Sequence, residues 1–143
     1  MSVKQISIFI ENKPGSLAEV TKFIAESKIN LKALSIADTQ EFGILRIITE
    51  NPDEARELLK NEGYTVTATS VLAVALSDTP GSMASILEVL SNAGVSVEYT
   101  YAFMSHIQDK AYMIFRVDNN DKATEALINA DISVINQEDI FSK

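Results

Sequence analysis

The stretch ENKPGSL at residues 11–17 returns as SDTPGSM at residues 77–83, with Pro14 and Pro80 standing 66 residues apart. Each copy follows an apolar run that alternates like a strand and precedes apolar residues at helical spacing. A strand-turn-helix junction that recurs in this way points to a duplicated unit rather than one undivided pattern. Units of roughly 65 residues sit near the lower limit for an independent core, so two of them are expected to lean on each other.

Within the first copy, Ile6, Ile8 and Ile10 alternate with Gln5, Ser7 and Phe9, the period of a strand buried mainly on one face. From Leu17 the period changes: Leu17, Val20 and Ile24, flanked by Ala18 and Phe23, predict a helix of about three turns. INLKALSIAD returns to alternation, with Leu31, Ala33 and Ser35 on one side and Leu34 and Ile36 on the other. FGILRIIT at residues 42–49 pairs with it as a hairpin through a polar turn at Thr39, Gln40 and Glu41. Pro52, Asp53 and Glu54 open a second helix, Gly63 stops it, and YTVTAT closes the unit near Thr69.

The order then begins again. VLAVAL at residues 71–76 reads as a strand, and GSMASILEVLSNAG as a helix with Met83, Ile86, Leu87 and Leu90 inward and Gly94 as its stop. VSVEYTYAF and AYMIFRV form a hairpin, DKATEALINA a helix and ISVINQ a last strand. After two extra residues in the second hairpin the spacing becomes 68, and Ala55, Glu57, Leu59, Asn61 and Val66 recur as Ala123, Glu125, Leu127, Asn129 and Val134. The expected fold class is α+β: two ferredoxin-like βαββαβ units, residues 1–69 and 70–143, each an antiparallel sheet with both helices on one face. The uncovered face and the sheet edges need partners. Pairing within the chain, followed by self-association into a homodimer, is expected.

Composition narrows the chemistry. The formal charge of -8, without a cluster of Lys and Arg, argues against a nucleic-acid partner. The absence of cysteine removes disulfides, thiolate catalysis and Cys-based metal sites, and agrees with a cytoplasmic location. No apolar stretch approaches the roughly 20 residues of a membrane span, and MSVKQISIFI lacks the features of a secretory signal, so no membrane partner is expected.

No phosphate loop, dinucleotide fingerprint or zinc-protease motif occurs. His106, the single histidine, lies beside Ser105 in MSHIQD, but adjacency supplies neither reach nor an orienting third group. Asp118 with Asp121, and Glu138 with Asp139, read as solvated surface; Arg46 and Arg116, inside third strands, read as rim residues. Tyr99, Tyr101 and Phe103 alternate on one face and suit aromatic cover for a sheet. No catalytic residue, metal or cofactor is expected.

Two readings of the Pro-Gly-Ser loop stand side by side. As a turn, Pro14 and Pro80 preset φ, Gly15 and Gly81 bend the chain, and Ser16 with Glu19 fits a capping box. As a ligand site, the backbone amides at a helix start favour a carboxylate, and glycine lets it come close. The second copy has Ser85 in place of Glu19, which weakens its box.

Strand, NKPGSL, amphipathic helix, INL and hairpin, repeated over essentially the whole chain, resemble the ACT domain, an amino-acid-sensing regulatory module of many biosynthetic enzymes. The resemblance implies a small molecule, usually an amino acid, bound where two modules meet. In serine-binding members similar to this pattern, an asparagine just before Pro-Gly and another at the start of the second strand, with the backbone after it, hold the ligand. Asn12 and Asn30, followed by Leu31, stand there, and an amide side chain both donates to a carboxylate and accepts from an ammonium. The histidine upstream in that subgroup is replaced by Ile10, so serine itself is not implied. The second copy carries Asp78 and Ser96 at these positions, and Asp78 would attract an ammonium but repel a carboxylate.

The candidate ligand-binding residues are thus Asn12, Pro14, Gly15, Ser16, Leu17, Asn30 and Leu31, with Asp78, Gly81, Ser82, Met83 and Ser96 in the second copy. Leu17 and Met83 read first as core by their spacing. The implied function is a non-catalytic sensor of an amino acid or related small carboxylate that signals to a partner enzyme of amino-acid metabolism through its assembly. The alternative is a structural oligomerisation module without a ligand.

Overall fold

Ile6, Ile8 and Ile10 are buried on one face of β1 (Val3–Glu11), as their alternation predicts, in a computed structural model that describes residues 2–38, 41–77, 79–103 and 110–141. The chain is α+β, with antiparallel strands and helices, and divides into two compact units: Lys4–Thr69, and Ser70–Lys143 together with Met1–Val3. The first unit contains β1, α1 (Ser16–Glu26), β2 (Leu31–Asp38), β3 (Phe42–Thr49), α2 (Pro52–Asn61) and the start of β4 (Thr65–Ser77). Ile6 stands opposite Ile47 and Ile8 opposite Leu45, so one row of aliphatic side chains crosses two strands. Val20 and Ile24 of α1 and Leu59 of α2 close over that row, which places both helices on the same sheet face. Each such side chain contributes about 1.5–3 kcal/mol by leaving water.

β3 lies between β1 and β2, and β1 also pairs with β4. Leu34 faces Ile47 and Ile36 faces Leu45 across the β2–β3 ladder, which puts both on the helix side. They remain 49% and 47% exposed, so this strip of the sheet is only half covered.

The second unit continues with the rest of β4, then α3 (Ser82–Asn92), β5 (Val97–Phe103), β6 (Lys110–Val117), α4 (Asn120–Asn129), β7 (Ser133–Ile135) and α5 (Gln137–Phe141). Its core joins Leu72 and Val74 of β4, Ile86 and Leu90 of α3, Phe115 and Val117 of β6, and Ala123 and Leu127 of α4. Leu72, Val74, Ile86, Leu90, Phe115 and Leu127 are positions of the first core shifted by the repeat spacing. Even an irregularity is copied: the β2–β3 register slips between Leu31 and Ala33, and the β5–β6 register between Val97 and Tyr99.

Three expectations need correction. The separate strands YTVTAT and VLAVAL are one 13-residue strand, β4, because the single residue between them, Ser70, is too short a break to turn the chain and no glycine, proline or asparagine flanks it. Leu87 is exposed, since Ile86 and Leu90, four apart, fill the buried stripe of α3 without it. The last strand is only three residues long, and α5 follows it; the N–H groups of Asp139 and Ile140 both donate to the Asn136 carbonyl and start that turn.

Candidate functional site

Both Pro-Gly-Ser loops fold alike. Gly15, with φ 89° and ψ -16°, caps α1, and Gly81, with φ 90° and ψ -11°, caps α3. This left-handed geometry suits glycine, and a Cβ built at either position meets nothing within 4 Å. Neither helix has a side-chain cap, so the capping box expected of Ser16 and Glu19 is not formed. With glycine at the cap, Ser16 becomes the first helical residue and its hydroxyl is displaced from the capping position.

The backbone satisfies part of each turn: the Ser16 N–H donates to Lys13 O at 3.3 Å and the Glu19 N–H to Gly15 O at 2.9 Å. The second loop repeats this with Ser82 to Thr79 at 3.3 Å and Ser85 to Gly81 at 3.0 Å. The amides of Leu17 and Ala18, and of Met83 and Ala84, have no hydrogen-bond partner among the described residues. Each loop therefore presents two adjacent donors at the positive end of a helix, where an anionic group is stabilised.

Asn12, Pro14, Gly15 and Leu17 are all exposed, and Ser16 is half-buried. Leu17 thus departs from the core reading, whereas Met83 packs against the core of its unit. Gly81 is exposed and Ser82 half-buried, its hydroxyl 2.8 Å from that of Thr79. Asp78, Ser105 and His106 lie outside the described residues.

Asn12 and Asn30 are not brought together within their unit. Glu11, beside Asn12, pairs with Phe42 at the start of β3, whereas Leu31, beside Asn30, pairs with Thr49 at its end. Seven residue steps of extended chain separate those ends by about 23 Å. Asn30 instead borders a small hollow of about 60 Å³ with Lys28, Glu50, Asn51 and Glu54. Ser96, its counterpart, donates its N–H to Asp118 Oδ1 at 3.0 Å, so Asp118 holds a local turn as well as facing solvent.

The sequence reading missed the walls beside the loops. In the first unit Phe9, Glu11, Lys13, Ser16, Glu19 and Tyr64 border a cleft of about 420 Å³. In the second, Ala75, Ser77, Ser82, Ser85 and Ile132 border one of about 260 Å³. The two are the same place copied, since Phe9, Glu11, Ser16 and Glu19 map to Ala75, Ser77, Ser82 and Ser85 at a spacing of 66, and Tyr64 to Ile132 at 68. Even the bend before it recurs, with φ 101° at Gly63 and 60° at Asp131. Applying the repeat spacing to all loop neighbours, not only to Pro-Gly-Ser, would have found these positions.

In the first cleft Lys13 Nζ lies 2.9 Å from Glu11 Oε2. The hydrogen bond that Lys13 donates to Glu11 raises the Lys13 pKa, and the charges of Glu11 and Glu19 add to it. Burial raises the Tyr64 pKa, reinforced by the charges of Glu19 and Glu62. The Tyr64 ring rests against Phe23 at 6.3 Å. Elsewhere, Tyr99 stacks on Tyr101 at 6.4 Å, and Arg116 pairs with Glu98 at 3.0 Å.

A family model described as an ACT domain pair matches residues 1–143. Among solved structures, protein BT0572 from Bacteroides thetaiotaomicron is similar with a TM-score of 0.92 and 39% identity, covering 100% of this chain and 98% of that one. The ligand-free regulatory subunit of aspartate kinase from Thermus thermophilus shares the fold at a TM-score of 0.66 and 17% identity, over 89% of this chain and 91% of that one. The corresponding subunit from Thermus flavus does so at 0.62 and 18%, over 90% and 92%. No curated protein matches the sequence. Among the described residues, no helix is long and apolar enough to cross a membrane, and no group of three or more His, Cys, Asp or Glu is placed to hold a metal.

Proposed function

Because the chain belongs to the ACT domain family, as a pair of such domains, we propose that it is a non-catalytic cytoplasmic sensor of an amino acid or related small carboxylate. The two domains are ferredoxin-like βαββαβ units, residues 1–69 and 70–143. The ligand is held at the Pro-Gly-Ser loops where modules meet. The observation that carries this reading is the pair of amides at Leu17 and Ala18, repeated at Met83 and Ala84, which have no partner among the described residues and stand beside an exposed glycine cap. A carboxylate satisfies both donors at once.

Asn12 of one module and Asn30 of another complete the N-terminal site, and the protein acts as a homodimer. The similarity to regulatory subunits of aspartate kinase supports a partner enzyme of amino-acid metabolism. Signalling follows from linkage: a ligand that fits one arrangement better than another shifts the chain toward it.

A melting-temperature screen against the twenty amino acids tests the reading. The bound amino acid is expected to stabilise the fold by about 2.7 kcal/mol at a hundredfold excess over its Kd. Asn12→Ala and Asn30→Ala are each expected to weaken it about tenfold. No shift with any amino acid at millimolar concentration would remove the sensor and leave a scaffold.

A further inference from the structure

The duplicated clefts share a position but not a chemistry. The C-terminal one offers hydroxyls at Ser77, Ser82, Ser85 and Ser133, with Ala75 and Ile132 where the other has rings. The N-terminal one is larger and borders on Phe9, Phe42 and Tyr64, with Glu11, Lys13 and Glu19 as its charged groups. Lys13 is engaged by Glu11 at 2.9 Å, whereas Glu19 has no ion pair among the described residues. Glu19 borders the same cleft as Lys13 and Tyr64, and its charge raises the pKa of both.

A volume of about 420 Å³ suits a small molecule. A carboxylate outside any ion pair, in the same cleft as an aromatic ring, is complementary to an ammonium group on an apolar body: the ammonium donates to the carboxylate and the body rests on the ring. We propose that the N-terminal cleft binds a small organic cation, a primary amine with an apolar body, through Glu19 and Tyr64, and that the C-terminal copy does not. This site goes beyond the amino-acid reading, because it needs neither the loop amides nor a second module.

Three near-isosteric probes separate the possibilities: phenethylamine, hydrocinnamamide and hydrocinnamate, which are cationic, neutral and anionic. Amide chemical shifts are followed on the isotope-labelled full chain. Phenethylamine alone is expected to give saturable shifts at Glu19, Gly63 and Tyr64, while Ser85, Asp131 and Ile132 stay in place. Glu19→Gln, nearly isosteric at an exposed position, is expected to weaken binding about tenfold. Tyr64→Phe keeps the ring and retains most of the affinity. Equal binding of all three probes, preference for the anion, equal response of both clefts, unchanged affinity in Glu19→Gln, or no binding at all would each overturn the proposal. The amine carries no carboxylate, so its failure leaves the amino-acid screen standing, and failure of that screen leaves this one.

Discussion

Phe115→Ala is expected to destabilise the C-terminal unit by about 3–5 kcal/mol, the usual consequence of emptying a fully enclosed aromatic site. Phe115 is 0% exposed and sits at the centre of its core, opposite Leu72 on β4 and Thr100 on β5, under the α3 side chains Ile86 and Leu90. A unit of this size has about 5–15 kcal/mol of total stability at most, so such a loss consumes much of it. The measurement is urea unfolding followed by far-ultraviolet circular dichroism. The control is Ile128→Ala on α4, where the side chain is 46% exposed and the expected change is within about 0.5 kcal/mol. Equal midpoints for the two variants would mean that the core has been misplaced.

Gly15→Val and Gly81→Val should each cost about 1–3 kcal/mol, and for the same reason. The cost is not one of space, since a Cβ at either site meets nothing within 4 Å; it lies in forcing a β-branched residue to φ near +90°. Gly15→Asn, a residue that visits the left-handed region more easily, should lose less. Because the two caps share one geometry, the two Val variants should lose similar stability. Their response to the bound amino acid is expected to differ, with the loss falling on the loop that holds it. Melting curves with and without that amino acid separate strain from binding, and a response indifferent to both substitutions would detach the ligand from the loops.

The repeat was the most legible feature of the chain because duplication writes the same local pattern twice. Gly63 and Gly94 mark helix ends, and both adopt positive φ as the punctuation predicts. The break expected between Thr69 and Val71 failed because a repeat boundary in sequence need not be a turn in space. The capping box failed for a subtler reason: Ser16 and Glu19 have the right spacing, but a glycine in the left-handed region takes the cap one residue earlier. Residue types predict which groups are able to bond, whereas backbone geometry decides which do.

The candidate site was legible at its loop and obscure around it. Tyr64 and Glu19 are distant in sequence and carry no motif, so only the pairing of β4 with β1 reveals them as lining one cleft. The separation of Asn12 from Asn30 likewise needed the β3 register, since both flank helix α1 and look close on the page.

That separation sets a stoichiometry. Each chain carries Asn12 and Asn30 at opposite ends of one sheet, too far apart for a single amino acid to span. On the proposed reading, a ligand gripped by both draws them from two molecules, and its occupancy depends on the abundance of the protein as well as of the metabolite. On that reading occupancy rises with the metabolite and with the square of the free chain's concentration, so dilution that separates the chains lowers it.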